Sequence, residues 1–426
     1  MIALDSFLGL VNKLFIFLAM IGSNAILLLD LPAYLYYRIF FPIFVILVLC
    51  LFFAKSKLVL KISKILKENI IFLGFLSTYS FISIFWAPSN ALSLRYSLLL
   101  FSQVVLSIVI TFITREKIVN YVHFLIKLFI FSEIVALLQI FNIVKFETGY
   151  SVEFENIGAF SFYGFNEFAY IITIFYPILL AYNMFKNKFT VLSIILLSIF
   201  LLLFTGSVLG LFSIFFESIL FIFLTSRYPK TGVSKLTVIC IISVSLIVLF
   251  NIGYFIELIS KYNISTRVIN QFITQLSFNS QDESLSSYRF ELMLYDLNLI
   301  MKTYLFGVGA GGDSFYIMEA GLPGNSHNWL LEIFTNFGIF TFVVYVILLI
   351  DSLRMLIRIY RNSKLPDYIR NISLGLFLGL ITLPINGMMV SSLLKLNSFW
   401  IYYGIIIAFC DRYYFISCQE DLVCIV

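Results

Sequence analysis

His327 is the residue of this chain best suited to acid–base chemistry. It is one of only two histidines in 426 residues, and it follows a glycine-rich polar stretch where an apolar segment begins. An imidazole titrates near neutral pH, so it can take a proton from a hydroxyl group while a nearby carboxylate or amide fixes its tautomer. Asn328 and Glu332 follow closely enough to do so. The alternative is that His327 only caps a helix. His123, beside Lys127, is interpreted as structural.

Arginines near the same stretch could bind an anionic group, because a guanidinium forks onto phosphate oxygens. Arg289 lies in a segment with helical spacing of apolar residues, with Glu291 and Asp296 close by, and Arg267 lies earlier in the same connection. Arg95 lies a few residues inside a predicted span, as does Arg38. The alternatives are a solvated helix face for Arg289 and snorkelling to lipid headgroups for Arg95 and Arg38.

The composition shows what must position these residues. Hydrophobic residues make up 61% of the chain and charged residues 12%, far fewer than the roughly 25% of soluble domains. A helical span needs about 20 mainly apolar residues. Twelve segments qualify, which predicts an all-α polytopic membrane protein with a single transmembrane domain, residues 1–426: 6–29, 34–53, 70–87, 91–113, 119–141, 165–184, 190–205, 208–225, 236–258, 328–350, 371–390 and 396–410.

The first segment lacks a basic leader and a small-residue cleavage site, so we interpret it as a membrane helix rather than a signal peptide. The five cysteines are scattered without metal-ligand spacing, which argues against a disulfide framework or a zinc site.

Basic residues fall on alternate connections. The connections 55–67, 115–117, 186–188, 227–235 and 354–370 hold five, two, two, three and five lysines and arginines, whereas the short connections 30–33, 87–90, 206–207 and 391–394 hold none. The positive-inside rule then predicts that both termini are cytoplasmic, with residues 411–426 as a tail. Residues 260–327 become a long outer loop that carries His327.

Within that loop, residues 285–306 are predicted to form an amphipathic helix on the outer membrane face. Glycines 307, 309, 311 and 312 follow, but they are not a nucleotide loop, because no strand precedes them and no Gly-Lys-Ser/Thr follows. We expect them to allow a tight return of the chain beneath the amphipathic helix. The absence of an internal repeat argues against an inverted-repeat transporter.

Four blocks give this chain a family resemblance over roughly residues 80 to 350: Ile84–Pro88, then Gly164–Ala169 followed by Tyr176–Pro177, then Arg289 leading into Gly307–Gly309, and His327–Glu332 running on to Asn336–Ile339. In these blocks the chain resembles the O-antigen polymerase/ligase superfamily, which includes capsule and teichuronic acid polymerases. One position departs from the family, since Val208 stands where many relatives have an arginine.

The resemblance implies a GT-C-like glycosyltransferase in the plasma (inner) membrane of a bacterium. A glycan on undecaprenyl pyrophosphate would be transferred to a sugar hydroxyl of a second lipid-linked unit, without a metal or cofactor. The implied roles are His327 for the acceptor hydroxyl and Arg289 for the pyrophosphate, with Arg95, Arg267, Asn328, Glu332 and Asn166 binding substrate. The expected partners are the lipid-linked oligosaccharides, membrane lipids, a flippase and a chain-length regulator, but no nucleic acid.

Three alternatives remain open. A ligase of the same superfamily would move finished glycan onto a lipid or protein acceptor and would use the same groups. A lipid-linked oligosaccharide flippase would carry charges through its spans, where the main interior ones here are Lys127, Glu133 and Glu217. A non-catalytic membrane scaffold would not need His327 or Arg289.

Overall fold

The computed structural model describes residues 2–21, 62–141, 143, 165–181, 188–205, 207–225, 285–322 and 325–418, and in these ranges the chain forms helices and no strand. The α-helices are α1 (Ile2–Ile21), α2 (Lys64–Ile82), α3 (Asn90–Thr114), α4 (Ile118–Ile140), α5 (Phe165–Ala181), α6 (Lys188–Thr205), α7 (Val208–Thr225), α8 (Leu285–Lys302), α9 (Gly312–Glu319), α10 (Trp329–Arg361), α11 (Asp367–Ile381), α12 (Leu383–Asn386) and α13 (Asn397–Cys418). Short 3-10 turns cover Ser83–Phe85, Arg115–Lys117 and Leu393–Lys395.

Ten of the twelve predicted spans fall on these helices, while 34–53 and 236–258 lie outside the described residues. Among the described residues, three stretches are long and apolar enough to cross a membrane: Lys64–Phe85, Asn90–Ile140 and Trp329–Arg361. Shorter apolar helical stretches cover Gly9–Met20, Asn166–Ala181, Thr190–Thr205 and Leu209–Thr225. These helices are those of a membrane protein, and the number of twelve spans stays a prediction.

Polar side chains mark where several helices begin. The hydroxyls of Ser63, Ser89 and Ser207 accept backbone N–H groups three residues on, at 3.2, 3.4 and 3.2 Å. Each of these bonds satisfies one of the N–H groups that a helix start leaves without a partner. The connections before α2, α3 and α7 are therefore fixed locally by one serine each.

The chain divides into two compact units. The first comprises residues 1–71, 102–164 and 396–426. In it Asp411 of α13 forms an ion pair with Arg115, and its other carboxylate oxygen accepts the Ser63 backbone N–H at 2.8 Å. Three segments that the charge pattern assigns to the cytoplasmic side therefore meet at one place. Residues 411–418, predicted to belong to the tail, continue α13.

The second unit comprises residues 72–101 and 165–395 and contains every helix from α5 to α12. Its centre is α5, whose side chains from Phe168 to Ala181 are buried on all sides. Pro177 lies inside α5, and a side chain on Gly375 of α11 would come within 3.0 Å of the Pro177 carbonyl oxygen. The two helices thus pack backbone against backbone, because Gly375 carries no Cβ.

Helix α8 confirms the predicted helix over most of residues 285–306, although it ends at Lys302. Its exposed apolar residues recur at helical spacing: Phe290, Leu294, Leu297 and Met301. The opposite face is buried and includes Leu292 and Asp296. An apolar stripe that points away from the protein, with a carboxyl group inside, suits a helix in contact with lipid.

Two helices differ from their predicted limits. Residues 371–390 were predicted to be one span, but α11 ends at Ile381, before Pro384, and only the four-residue α12 follows. This prediction was wrong because Pro384 has no backbone N–H and its ring clashes with the carbonyl four residues earlier, so the helix cannot continue through it. Helix α10 extends to Arg361, eleven residues beyond the predicted end, and is opened at Gly338 by φ 77° and ψ 177°.

Candidate active site around His327

Residues 307–312, here called the glycine segment, dock on the opened backbone of α10. The Val308 and Gly309 N–H groups donate to the carbonyls of Thr335 and Asn336 at 2.8 and 3.0 Å, and the Ile339 N–H donates to the Leu305 carbonyl at 2.8 Å. The kink at Gly338 frees these groups from the helical ladder, so the glycine segment satisfies backbone that the kink exposes.

Glycine is required on both sides of this contact. A Cβ on Gly307 would lie 2.7 Å from the Gly338 nitrogen, and a Cβ on Gly338 would lie 2.5 Å from the Phe306 carbonyl oxygen. Both residues also have positive φ, 86° and 77°. The segment therefore returns the chain after α8, as the sequence predicts, and its partner is the α10 backbone.

The other side of the glycine segment contacts the turn between α2 and α3. The Ala310 N–H donates to the Ser83 hydroxyl at 2.8 Å, and a Cβ on Gly309 would lie 2.9 Å from that of Ala87. Three blocks of the resemblance, at residues 84–88, 307–309 and 336–339, thus meet in space.

Residues 325–332, here called the His327 junction, lead into α10. His327 has φ 49°, in the left-handed region that non-glycine residues rarely adopt. Such a backbone conformation costs on the order of 1–3 kcal/mol and persists only where the surroundings hold it. Asn328 then caps α10, since its Oδ1 accepts the Leu330 and Leu331 N–H groups at 3.2 and 3.3 Å. His327 is partly exposed, which suits a group that must meet substrate.

Glu332 is buried in a polar network beside the junction. Its Oε1 accepts the Tyr96 hydroxyl at 2.7 Å and the Ser392 hydroxyl at 2.6 Å. Lys395 Nζ donates to Asn325 Oδ1 at 2.8 Å and lies 5.5 Å from the centroid of the Tyr96 ring. The junction is therefore tied on both sides of His327 to α3 and to residues after α12.

Two further carboxyl groups lie behind the junction. Asp313 Oδ2 accepts the Ser326 hydroxyl at 3.0 Å, and Ser314 donates to Asn325 at 3.0 Å. Asp296 of α8 is fully buried, and neither of its oxygens has a hydrogen-bond partner among the described residues. Burial, and then the charge of Asp313, raises the pKa of Asp296 from 3.8 to about 8. Asp296 therefore carries a proton at neutral pH.

The remaining predicted site residues are placed as follows. Arg289 belongs to α8, two turns before Asp296, but its side chain is outside the described part, as is all of Arg267. Arg95 is exposed on α3, and its neighbour Tyr96 is the residue that reaches Glu332. Asn166 is exposed in the first turn of α5. Of the seven predicted residues, the structure brings together His327, Asn328 and Glu332.

The sequence analysis did not identify Tyr96, Asn325, Asp313, Ser392 or Lys395 as part of this site. One signal was available for Lys395, because a lysine beside an otherwise uncharged outer connection is an exception to the positive-inside pattern. Among the described residues, no group of three or more His, Cys, Asp or Glu side chains is placed to hold a metal ion.

Comparison with known proteins gives two matches. Residues 193–346 match a family model described as O-Antigen ligase. The chain is also 26% identical over 368 residues to the teichuronic acid biosynthesis protein TuaE of Bacillus subtilis (strain 168), which covers 80% of this chain and 71% of TuaE. The matched family region includes most of α6, then α7 to α9, the His327 junction and the kink at Gly338.

Proposed function

Since these two matches support the O-antigen polymerase/ligase superfamily for this chain, we propose that it is a polysaccharide polymerase of the bacterial plasma membrane. Its donor is a glycan on undecaprenyl pyrophosphate, and its acceptor is a sugar hydroxyl of another lipid-linked repeat unit. The reaction takes place on the outer face. The observation that carries the proposal is the strained His327 at the mouth of α10, inside the matched region.

In the proposed reaction the acceptor oxygen forms a bond to the anomeric carbon of the donor glycan. The bond from that carbon to the pyrophosphate oxygen breaks, and undecaprenyl pyrophosphate leaves with the electron pair. His327 activates the acceptor hydroxyl, either by taking its proton or by accepting a hydrogen bond from it. Because pyrophosphate is a good leaving group, the protein mainly orients the reactants and neutralises developing charge.

Arginines of the outer loop and of α3 supply that neutralisation in this proposal. Arg289 is assigned to the pyrophosphate, with Arg95 and Arg267 as helpers, and no metal ion is needed where guanidinium groups bind the phosphate oxygens. Asn166, Asn328 and Glu332 line or support the substrate site. A flippase that delivers the lipid-linked unit and a chain-length regulator complete the proposed set of partners.

The test compares His327→Ala and His327→Gly with His123→Ala, the matched change at the other histidine. Positioned acid–base catalysis is worth about 10²–10⁴ in rate, so both His327 variants should lose long polymer, while His123→Ala should keep it. Glycine relieves the positive φ, so His327→Gly should be as stable as the parent. Protein level and the ladder of glycan lengths are measured in cells that make the polymer. Normal polymer from a well-expressed His327→Gly variant would overturn the catalytic assignment.

The phosphate assignment has its own comparison. Arg289→Ala should lose polymer, whereas Arg354→Ala should not, because Arg354 forms an exposed pair with Asp351 at the predicted inner end of α10. Equal polymer from both variants would remove Arg289 from the site.

The ligase alternative is favoured by the description of the matched family. The two activities leave different intermediates when they are lost. A chain without polymerase activity accumulates single repeat units on the carrier lipid, whereas one without ligase activity accumulates long polymer on the carrier. Long carrier-linked polymer in the His327→Ala strain would therefore favour the ligase.

A further inference from the structure

Residues 382–395, here called the connector, follow α11 and lie outside the region that matches the family model. The connector contains the short α12 and one 3-10 turn, and most of it is buried, including Met389, Val390, Leu393 and Leu394. Residues 391–394 are the predicted outer connection, and connections usually run over the surface. Its burial raises the question of what it holds in place.

The connector contacts the His327 junction at three points. Gly387 packs on the Trp329 indole so closely that any Cβ there would overlap the ring. The Ser392 hydroxyl donates to Glu332 at 2.6 Å, and Lys395 Nζ donates to Asn325 at 2.8 Å. Asn325 precedes His327 by two residues, and Trp329 and Glu332 follow it. The contacts therefore hold both arms of the junction and leave the histidine between them.

These contacts are needed because the backbone of His327 is strained. A residue at φ 49° keeps that conformation only if its neighbours are fixed. Away from the connector, the Ser314 hydroxyl donates to Asn325 and the Ser326 hydroxyl donates to Asp313. From the connector, Lys395 donates to Asn325. Ser392 and Tyr96 both donate to the same oxygen of Glu332. The connector therefore supplies part of the contacts that hold His327 in this conformation.

We propose that Ser392 and Lys395 are positioning residues for His327, acting through Glu332 and Asn325 rather than by touching the substrate. This inference rests on the proposed function, since it assigns them to the same reaction. Ser392 fixes the first turn of α10 after the histidine. Lys395 fixes the turn before it, and its ammonium group also offsets part of the charge of Glu332.

The test measures polymer formation by the full-length protein in membranes or nanodiscs, with the lipid-linked repeat unit as substrate. The variants are Ser392→Ala, Lys395→Met and Lys395→Arg, with Ser391→Ala as the matched control because Ser391 is exposed beside the buried Ser392. A displacement of about 1 Å can cost on the order of 10² in rate. We therefore expect kcat to fall about 10- to 100-fold in Ser392→Ala and Lys395→Met, with KM nearly unchanged.

Two comparisons separate positioning from general stability. Lys395→Arg keeps a cation and N–H donors and should recover most of the rate, while thermal stability is followed for each variant. The double variant Asn325→Ala/Lys395→Met should lose less than the two single losses combined, because both changes break the contact between Lys395 and Asn325.

The outcomes also separate this inference from the proposed function. Wild-type kcat in Ser392→Ala and Lys395→Met, with loss of polymer in His327→Ala, overturns the positioning roles alone. A higher KM with unchanged kcat in Lys395→Met makes Lys395 a substrate-binding residue and overturns the inference. Normal polymer in His327→Ala instead removes the catalytic assignment itself.

Discussion

At the scale of single residues, the site combines a strained histidine with buried acids of different character. Glu332 accepts from two hydroxyl groups, Asp313 accepts from Ser326 and Ser314, and Asp296 has no donor within hydrogen-bond distance among the described residues. A carboxyl group without donors is tolerated in a buried place mainly as the neutral acid. Asp296 is therefore best understood as a protonated group that lets α8 pack on the site without burying an ionised carboxylate.

Asp296 makes stability depend on pH. Its pKa is about 8 in the folded protein and 3.8 when unperturbed, so between these values the folded state holds a proton that the unfolded state has lost. Stability from this group should fall as pH rises through that window, by up to about 1.4 kcal/mol per pH unit. Asp296→Asn keeps a neutral side chain and should flatten this dependence.

The measurement is the thermal unfolding temperature in detergent at pH 5 and pH 8. The parent should be less stable at pH 8, and Asp296→Asn should show a smaller difference. Asp351→Asn is the control, because Asp351 lies in an exposed pair and should leave the parental slope unchanged. An equal slope in the parent and in Asp296→Asn would contradict the neutral-acid interpretation.

At the scale of elements, the decisive feature is the pairing of the glycine segment with the opened turn of α10. The α10 backbone makes two hydrogen bonds with the glycine segment and a third with Leu305 just before it, and this close approach requires that neither Gly307 nor Gly338 has a side chain. The kink is therefore stabilised by α10 and the glycine segment together, and it fixes the position of the His327 junction relative to α8 and α9. A substitution that displaces the backbone at Gly338 should therefore also displace His327, eleven residues earlier.

Gly338→Ala should therefore damage the site. The alanine Cβ would lie 2.5 Å from the Phe306 carbonyl oxygen, and the alanine would have to adopt φ 77°. Overpacking of this kind costs roughly 1–3 kcal/mol, and the backbone strain costs a similar amount. We expect a lower unfolding temperature and little polymer from protein that still reaches the membrane. Gly74→Ala is the control, since nothing lies within 4 Å of its Cβ and alanine favours a helix interior by up to about 1 kcal/mol. Equal stability of the two variants would refute this account.

At the scale of the whole molecule, the described helices agree with the grouping of connections into two sets. Ser63, Arg115 and Asp411 meet in one unit, and residues 83–88, 307–312, 325–332 and 392–395 meet in the other. The first group comes from predicted inner segments and the second from predicted outer ones. Their assignment to the two sides of the membrane remains a prediction from charge.

Cysteine labelling checks that assignment. In a chain whose five cysteines are replaced by alanine, Ser391→Cys should react with a membrane-impermeant maleimide in intact cells. Glu116→Cys should react only after the membrane is permeabilised, because Glu116 is exposed in a predicted inner turn. Loss of its surface pair with Arg412 should cost under about 1 kcal/mol. The reverse labelling pattern would show that the positive-inside assignment is inverted.

The sequence allowed much of the helical framework to be predicted, because long apolar runs between charged connections leave few alternatives. It also singled out His327, Asn328 and Glu332, which are close together in the chain, and their roles stay predictions. Tyr96 and Lys395 could not be found in this way, since they are 236 and 70 residues from the partners they contact. The opening of α10 at Gly338 depends on contact with Gly307, and the sequence around either glycine does not reveal that contact. The early end of α11 did have a signal, Pro384, which hydropathy outweighed.

The buried ion pair between Arg115 and Asp411 has a consequence for how the chain is made. Arg115 is synthesised almost 300 residues before Asp411, so this ion pair can form only after α13 has been made. A broken buried pair typically costs about 3–5 kcal/mol. We therefore expect the early helices of the first unit to gain this part of their stability only after α13 has been synthesised.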